Sequence, residues 1–447
     1  MFKNWFQERI VLPLSDLING QSVSKYLKFM QESWTWSREQ IDDFQNSRLK
    51  ELIEYAYKYV PFYHDVMVER GLTPKDIQTK DDLAKMPIIN KDLIRREGIE
   101  RFTSTEMPRN KMVKRASSGS TGQPFVYYAT HLCYSVNLAA NLRGWYNFGW
   151  RLGDRYVKIS QNPRKSMIKK IQDWATGNLY VATADLSDEH LHEIMKKIDD
   201  YKPVVIRSYP DPLYLMAKYR LQHQDEFKYC PKVVTTTGNV LHDNVRKTIE
   251  EAFGCEVFDA YASEGNSNVF ECVSHTCYHV SEEYGITEII DENGNQVKNG
   301  EGRLITTDLW NYAHPFIRYD VQDRVEVDDS VCECVNSHMK IKRILGRDNE
   351  MLVAPSGRRY IVHHFTVYFE PTVTPELKDS IDQFQIVQHK DGSTTIKMVV
   401  NDRYDDSIGT IVKNHWEREF GAPVIIEVVD KIQINKNNKR RFIVIEH

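Results

Sequence analysis

Apolar residues recur every three or four positions through the first part of the chain. Between 38 and 58 they fall at Ile41, Phe44, Leu49, Leu52, Ile53 and Ala56, the spacing of one helix face. The region up to about residue 100 therefore reads as helical, its last helix ending near Pro87. From about residue 155 the pattern changes to short apolar runs, and Tyr156–Ser160, 204–207, Val233–Thr237 and 256–259 read as strands. Between them, 188–200 carries Leu191, Ile194, Met195 and Ile198 on one face. Ser187 precedes it as an N-cap, with Asp188 and Glu189 in the first turn. Such alternation predicts the α/β class, with wound, mostly parallel sheets. After 279, Asn293-Gly294 and Asn299-Gly300 between alternating segments predict an antiparallel β part. Past Gly346 a new unit begins, with a hairpin turn at Asp391-Gly392, a helix near 407–420 and a strand at 424–429. The predicted division is a large domain, 1–346, and a small mobile C-terminal α+β domain, 347–447.

Composition narrows the function classes. The chain has 447 residues, 41% hydrophobic and 27% charged, enough for one large core and a smaller one. A net charge of −4 gives no footprint for nucleic acid or for an acidic membrane surface. No apolar run reaches the ~18–20 residues of a membrane span, so no stable membrane insertion is expected. Residues 2–18 are amphipathic. Glu8, Arg9 and Asp16 interrupt them, and no small-residue cleavage site follows, which argues against a signal peptide. Their apolar face can touch a membrane surface or pack on the core, and core packing is the expectation. The seven cysteines are odd in number and clustered, which speaks for a cytoplasmic protein rather than a disulfide framework.

The most informative stretch is Ser117-Ser118-Gly119-Ser120-Thr121-Gly122-Gln123-Pro124. Gly119 and Gly122 let the backbone bend sharply and approach an anion. The hydroxyls add donors to the backbone N–H groups, so the loop suits a triphosphate. Taken alone it can equally be a flexible polar turn. It lacks the lysine of a Walker loop, which counts against a phosphotransferase.

This loop resembles the S-[SG]-G-[ST]-T-G-x-P signature of adenylate-forming enzymes, and further blocks resemble theirs in the same order. Thr237-Gly238-Asn239 is similar to the G-G-E block, and Tyr261-Ala262-Ser263-Glu264 to the Y-G-x-T-E block. Arg318-Tyr319-Asp320-Val321-Gln322-Asp323 is similar to Y-R-T-G-D, and Leu345-Gly346-Arg347-Asp348-Asn349-Glu350 to G-R-x-D-D. The run from Asn435 to Arg441 is similar to P-R-T-x-x-G-K-x-R. The opening at 52–63 resembles the phenylacetate–CoA ligase-like branch, which includes capsular-polysaccharide biosynthesis proteins.

The resemblance implies ATP-dependent activation of a carboxylic acid to an acyl-adenylate, then acyl transfer. Coenzyme A is the default acceptor, and an amine or amino sugar is the alternative. A third possibility is a degenerate, zinc-stabilised binding protein. Departures at Gln123, Gln322, Asn349 and Asn438 favour it, and retained Glu264, Asp323, Arg347 and Lys439 oppose it. The implied roles follow the blocks. Ser117, Ser118, Gly119, Ser120, Thr121 and Gly122, with Gly238 and Asn239, would hold the nucleotide. Glu264 follows a predicted strand end, where ligands of wound sheets bind, and its hard oxygen suits Mg²⁺. A solvated loop glutamate is the bland alternative. Tyr261 offers a flat face for adenine, and Ser263 keeps the hydroxyl of the usual threonine. Asp323 can accept from both ribose hydroxyls. Arg347 would reach ribose or phosphate, or is a surface arginine. Asn349 tolerates the unusual backbone angles of a hinge. Lys439 would be the mobile cation of the adenylation step, with Lys436 as the fallback; a solvated basic tail is the other reading.

A second constellation is metal-like. Cys272, Cys277 and His279 are followed by Cys332 and Cys334, and thiolates with an imidazole suit tetrahedral Zn²⁺. Relatives in this branch carry a similar arrangement. The expected ligands are Cys272, His279, Cys332 and Cys334, with Cys277 as the alternate, in a closed structural site.

Overall fold

The computed structural model describes residues 2–116, 125–160, 167–182, 187–263, 267–334, 336–347, 352–356, 358–360, 365, 368–369, 374–378, 380–432 and 442–446. The chain divides into two compact units. One is built from residues up to Ile344, and the other takes in Gln322–Arg324 and Leu345–His447.

In the first unit, the predicted helical region contains the Val23–Ser33, Arg38–Tyr59 and Pro61–Glu69 helices, and it does not end near Pro87 as expected, because Asn90 caps a further helix, Lys91–Glu97, by accepting from the Leu93 N–H. Ser37 starts the longest of these with a reciprocal capping box: its side chain accepts from the Gln40 N–H, and the Gln40 side chain accepts from the Ser37 N–H. Ile41, Leu49, Leu52, Ile53 and Ala56 are all buried on one face of it, as their spacing requires.

The central sheet has eight strands. From one edge they run Lys340–Ile341, Tyr278–Val280, Ser267–Glu271, Glu256–Ser263, Val233–Thr237, Val205–Ser208, Tyr156–Ser160 and Asn178–Ala182. The last five are parallel to one another, and the first four pair antiparallel. The parallel half is wound with helices that include Asp188–Tyr201, Pro210–Gln222 and Asp243–Phe253. Leu191, Ile194, Met195 and Ile198 close onto Ile206, Val234 and Val257 in one core. Gly285–Ile290, Gly300–Asp308, Tyr319–Val327 and Arg343–Arg347 form the antiparallel part. Its first two strands pair antiparallel, with Ile290 opposite Arg303.

The second unit is small. Its four-stranded sheet runs Val424–Val428, Thr394–Val400, Ile381–Gln388, Ile443–Ile445. Ile408, Val412, Trp416 and Phe420 of the Asp406–Phe420 helix are buried in its core with Phe384, Ile386, Ile396 and Met398.

One expectation fails. The segment from Phe2 to Asn19 is helical, with a π-helical turn at Gln7–Val11, but its apolar face does not pack on the core. Phe2, Trp5, Phe6, Ile10, Leu14, Leu17 and Ile18 are exposed, while Asp16 is buried. The polar side points inward because it has partners there. Asn4 donates to Asp154 at 2.7 Å, Glu8 accepts from the Tyr146 hydroxyl at 2.9 Å, and Asp16 accepts from the Val23 and Ser24 N–H groups at 3.0 and 2.7 Å.

His314 makes the fold acid-sensitive. It is fully buried among the rings of Phe102, Tyr127 and Phe316. Burial first, and Arg109 second, push its pKa down to about 3. The unfolded chain protonates this imidazole near its ordinary 6.5. Its contribution to stability is therefore full above that pH and is lost as pH falls toward 3. By pH 5 the loss is roughly 2 kcal/mol. Melting temperature should fall from pH 7 to pH 5, and by clearly less in His314→Leu. Equal falls in the two proteins would show that another group governs the acid limb.

Candidate functional site

Parallel strands end together, so the loops beyond their carboxyl ends lie on one side of the sheet. Val205–Ser208 is followed by Tyr209, Val233–Thr237 by Gly238 and Asn239, and Glu256–Ser263 ends on Ser263. Gly238 has φ +85°, and a Cβ built on it would lie 2.5 Å from the Tyr209 ring. Only glycine lets the chain turn there against that ring. Asn239 donates to Asp211 at 3.0 Å, so the two loops are joined. Tyr261 and Ser263 are half-buried in the adjoining strand, which pairs with Ser267–Glu271. Gly238, Asn239, Tyr261 and Ser263 are thereby brought to one edge. Tyr209 and Asp211 join them, and sequence reading did not find them. Tyr209 is followed by Pro210 at the start of a helix, the one local signal that marked this turn.

A buried carboxylate holds these ends in place. Asp259 accepts from the Thr236 hydroxyl at 2.5 Å and from the Tyr278 hydroxyl at 3.0 Å, and Glu271 accepts from its N–H at 2.7 Å. Burial pushes the Asp259 carboxyl up to about 6. Neighbouring strands are thus cross-linked just below the edge.

Asp323 is buried in the Tyr319–Val327 strand. Gln322 beside it has φ +64°, so a glutamine takes the left-handed backbone that suits glycine. Arg347 closes the Arg343–Arg347 strand. Ser117, Ser118, Gly119, Ser120, Thr121, Gly122, Gln123, Glu264, Asn349, Lys436, Asn438 and Lys439 lie outside the described residues.

The cysteine–histidine cluster forms at the antiparallel edge. Cys272 leaves the Ser267–Glu271 strand, and its N–H bonds the Cys277 carbonyl at 2.8 Å in a tight turn. His279 follows on the Tyr278–Val280 strand, and Cys332 and Cys334 come from the loop before Lys340–Ile341. Sulfur–sulfur distances are 3.5 Å for Cys272–Cys332 and 3.4 Å for Cys277–Cys332. His279 Nε2 lies 3.8 Å from Cys277 Sγ and 3.0 Å from Cys334 Sγ. Two thiolates on one tetrahedral Zn²⁺ stand about 3.8 Å apart, and a thiolate and imidazole about 3.5 Å; a disulfide needs about 2.05 Å. The donors therefore fit a metal and exclude a disulfide. The ligand atoms of Cys272, Cys277, His279 and Cys332 all lie within 4.8 Å of one another. The alternate, Cys277, belongs to this mutually close set, whereas the expected ligand Cys334 does not, although its sulfur lies 3.0 Å from His279 Nε2. Burial raises the Cys277 thiol. At Cys332 burial also opposes ionisation, but hydrogen bonds from Cys334, Cys277 and His279 draw its thiol down.

The imidazole is oriented from behind. His279 Nδ1 lies 3.3 Å from the His338 carbonyl, which leaves Nε2 aimed at the sulfurs. Trp34 stacks on His338 at 5.1 Å and meets His279 edge-on at 5.9 Å. The other side of the Trp34 environment is Arg143, 4.3 Å over its ring and paired with Glu283 at 2.5 Å.

Comparison with known proteins bears on these features. A family model described as the CapK C-terminal domain matches residues 358–446. The chain is 25% identical to Protein CapK of Staphylococcus aureus over 94% of its length and 92% of that protein. It is also 25% identical to the phenylacetate-coenzyme A ligase of Thermus thermophilus, over 86% of each. These likenesses support the resemblance to the phenylacetate–CoA ligase-like branch of the adenylate-forming enzymes. The fold agrees. A structure of 2-hydroxyisobutyryl-CoA ligase, in the postadenylation state with 2-HIB-AMP, superposes with a TM-score of 0.74 at 16% identity, covering 93% of this chain and 92% of that one. Gln322, which stands where the resembling motif carries glycine, has a glycine-like backbone.

Gly238→Ala should destabilise the protein by roughly 1–3 kcal/mol, from left-handed strain plus collision with the Tyr209 ring. Urea unfolding measures it. Adding Tyr209→Ala to Gly238→Ala should restore the collision part and leave the strain part. No recovery in the double variant would mean that the ring is not what Gly238 accommodates.

Proposed function

We propose that the chain uses ATP to activate a carboxylic acid and then transfers the acyl group to a thiol or amine. A carboxylate oxygen attacks the α-phosphorus of ATP, the bond to the bridging oxygen of the β-phosphate breaks, and pyrophosphate leaves. The acceptor then attacks the acyl carbon and AMP leaves. The first step brings two anions together, so the protein must hold them in line and offset their repulsion.

The observation that carries this reading is the gathering of Gly238, Asn239, Tyr261 and Ser263 at the carboxyl ends of parallel strands, in a chain whose motif blocks follow the family's order. Gly238 brings backbone close to a ligand, and the Tyr261 ring suits adenine. Asp323 accepts from the ribose hydroxyls, and Arg347 serves ribose or phosphate. The loop 117–122 holds the leaving phosphates. Glu264 directly follows Ser263 at the strand end and serves as a Mg²⁺ ligand. That ion, when bound, supplies positive charge to the phosphates. Lys439 offsets the charge between acid and α-phosphate. The names of the phenylacetate-coenzyme A ligase relatives support coenzyme A as acceptor. The resemblance to the branch that includes capsular-polysaccharide biosynthesis proteins makes an amine or amino sugar the alternative acceptor. The cysteine–histidine cluster would hold one structural Zn²⁺ and so tie the loop that carries Cys332 and Cys334 to the sheet edge.

Acid-dependent exchange of labelled pyrophosphate into ATP, screened over aryl, alkyl and amino acids, tests the first step. Glu264→Gln should stay folded and lose about a hundredfold or more of this exchange. Lys439→Ala should lose exchange, yet still pass acyl from a supplied acyl-adenylate to coenzyme A or to an amine. Comparison of those two acceptors decides between them. No exchange with any acid would overturn the proposal in favour of a zinc-stabilised binding protein.

Metal analysis of protein purified without added metal should find about one zinc per chain. Cys332→Ser should lower both zinc content and melting temperature. Zinc-free protein of unchanged stability would refute the metal site.

A further inference from the structure

The first helix is turned the opposite way from an ordinary surface helix. Its inward positions are Asn4, Gln7, Glu8, Val11, Leu12, Ser15 and Asp16, and its exposed ones recur at four-residue intervals. Phe2 is 78%, Trp5 54%, Leu17 80% and Ile18 75% exposed. Among the described residues the outward rings stack only on one another, Phe2 on Trp5 at 6.1 Å and on Phe6 at 6.5 Å. At 1.5 Å per residue this apolar ridge is about 26 Å long, far beyond singly scattered apolar side chains.

Charge distinguishes the possible occupants. Both acidic residues of the helix are turned inward and engaged, Glu8 by Tyr146 and Asp16 by Val23 and Ser24. Lys3 and Arg9 are exposed beside the ridge, and among the described residues neither forms an ion pair. The exposed face therefore carries cations only. Two copies packed through it would set like charges together. A surface that is apolar inside and anionic outside complements it. A second exposed ridge, Met167, Lys170 and Trp174, follows helical spacing on the Met167–Thr176 helix, with Trp174 84% exposed. That helix ends at Gly177, whose carbonyl bonds Tyr156 N–H and whose Cα side faces the Asp154 carbonyl. Asp154 is the residue that Asn4 holds.

We propose that the Phe2–Asn19 segment docks the protein on an anionic lipid bilayer surface. The helix lies in the plane of the interface, with Phe2, Trp5, Phe6, Ile10, Leu14, Leu17 and Ile18 among the acyl chains and Lys3 and Arg9 at the headgroups. Its inward hydrogen bonds form without the membrane, so no ordering of the helix opposes binding. The chain as a whole carries −4, so general electrostatic adhesion to anionic vesicles is disfavoured and binding reports this face.

Co-sedimentation of the full chain with vesicles tests the assignment. The wild type should pellet with phosphatidylcholine–phosphatidylglycerol vesicles, less with phosphatidylcholine alone, and less at high salt. The double variant Trp5→Glu/Leu17→Glu should lose about tenfold or more of this partitioning while keeping its melting temperature. Wild-type tryptophan emission should shift to the blue on anionic vesicles, and Trp5→Phe should remove much of that shift, a readout that does not depend on the double variant folding. A wild type left in the supernatant, or equal partitioning of wild type and double variant, would overturn the proposal. So would a wild-type dimer that the double variant dissolves without any lipid binding, which assigns the face to a second copy. Pyrophosphate exchange in the same preparations separates this outcome from failure of the adenylation reading, since the helix contributes none of the residues proposed for that step.

Discussion

Arg143 keeps its charge at any ordinary pH, and it is almost completely buried. The surrounding fold must therefore supply a carboxylate at contact distance, and much of the first unit is arranged around that need. Glu283 meets it. Burial works against the Glu283 carboxylate, but Arg143 and then His338 hold its pKa below the usual range. Ser33 at the end of one helix donates to the same carboxylate at 2.8 Å, and Ser281 accepts from the second guanidinium arm. The Trp310 indole bonds the Glu283 carbonyl. One ion pair thus binds the Val23–Ser33 helix, the His131–Asn147 helix and the turn between two sheets. A misplacement of any of them leaves a bare charge in the core. The same pair also backs the cysteine–histidine cluster, because Trp34 lies between Arg143 and His279. A metal at that edge would have its imidazole fixed before it arrives.

The regular elements were legible wherever burial alone decides them. Tyr156–Ser160 and Val233–Thr237 coincide with their apolar runs, and the helix from Asp188 to Tyr201 with its four-residue face. The helix closes on one core, and the two strands bury alternate residues there and in the core on the other face of the sheet. The strand Glu256–Ser263 runs four residues beyond its apolar run, since Ala260 to Ser263 are held by pairing with Ser267–Glu271. Asn178–Ala182 was not anticipated. It lies at the sheet edge beside Tyr156–Ser160, and its pattern of half-buried positions lacks the continuous apolar run of its neighbours.

The site was legible in its residue types and less so in its geometry. Gly238 could be singled out from a motif, but Tyr209 is the reason it must be glycine, and Tyr209 is 29 positions away. Gln322 looked like a departure from the family pattern. Its φ of +64° is left-handed, a backbone that glycine adopts freely, so the glutamine holds such a turn at a cost in strain of order 1 kcal/mol. Cys277 was the alternate among five donors, and in three dimensions it is 3.4 Å from Cys332. Spacing along the chain ranks ligands poorly because a tight turn, here Cys272 to Cys277, erases the distance between its ends.

The first helix shows the same limit most clearly. Its two faces are plain in the sequence, but which face turns inward is not a property of the helix. An apolar face against the core gains roughly 25 cal/mol for each Å² removed from water, and on that ground the inward expectation was sound. What reverses it is a polar socket made elsewhere: Asp154 in a loop, Tyr146 near the end of a helix, and the two N–H groups that open the next helix. Asp16 caps that next helix from outside it, so turning the first helix over would leave those N–H groups and the Asp16 carboxylate unpaired together. The orientation is thus set by hydrogen bonds whose partners lie from 7 to 150 positions away, and the apolar ridge faces outward as a consequence.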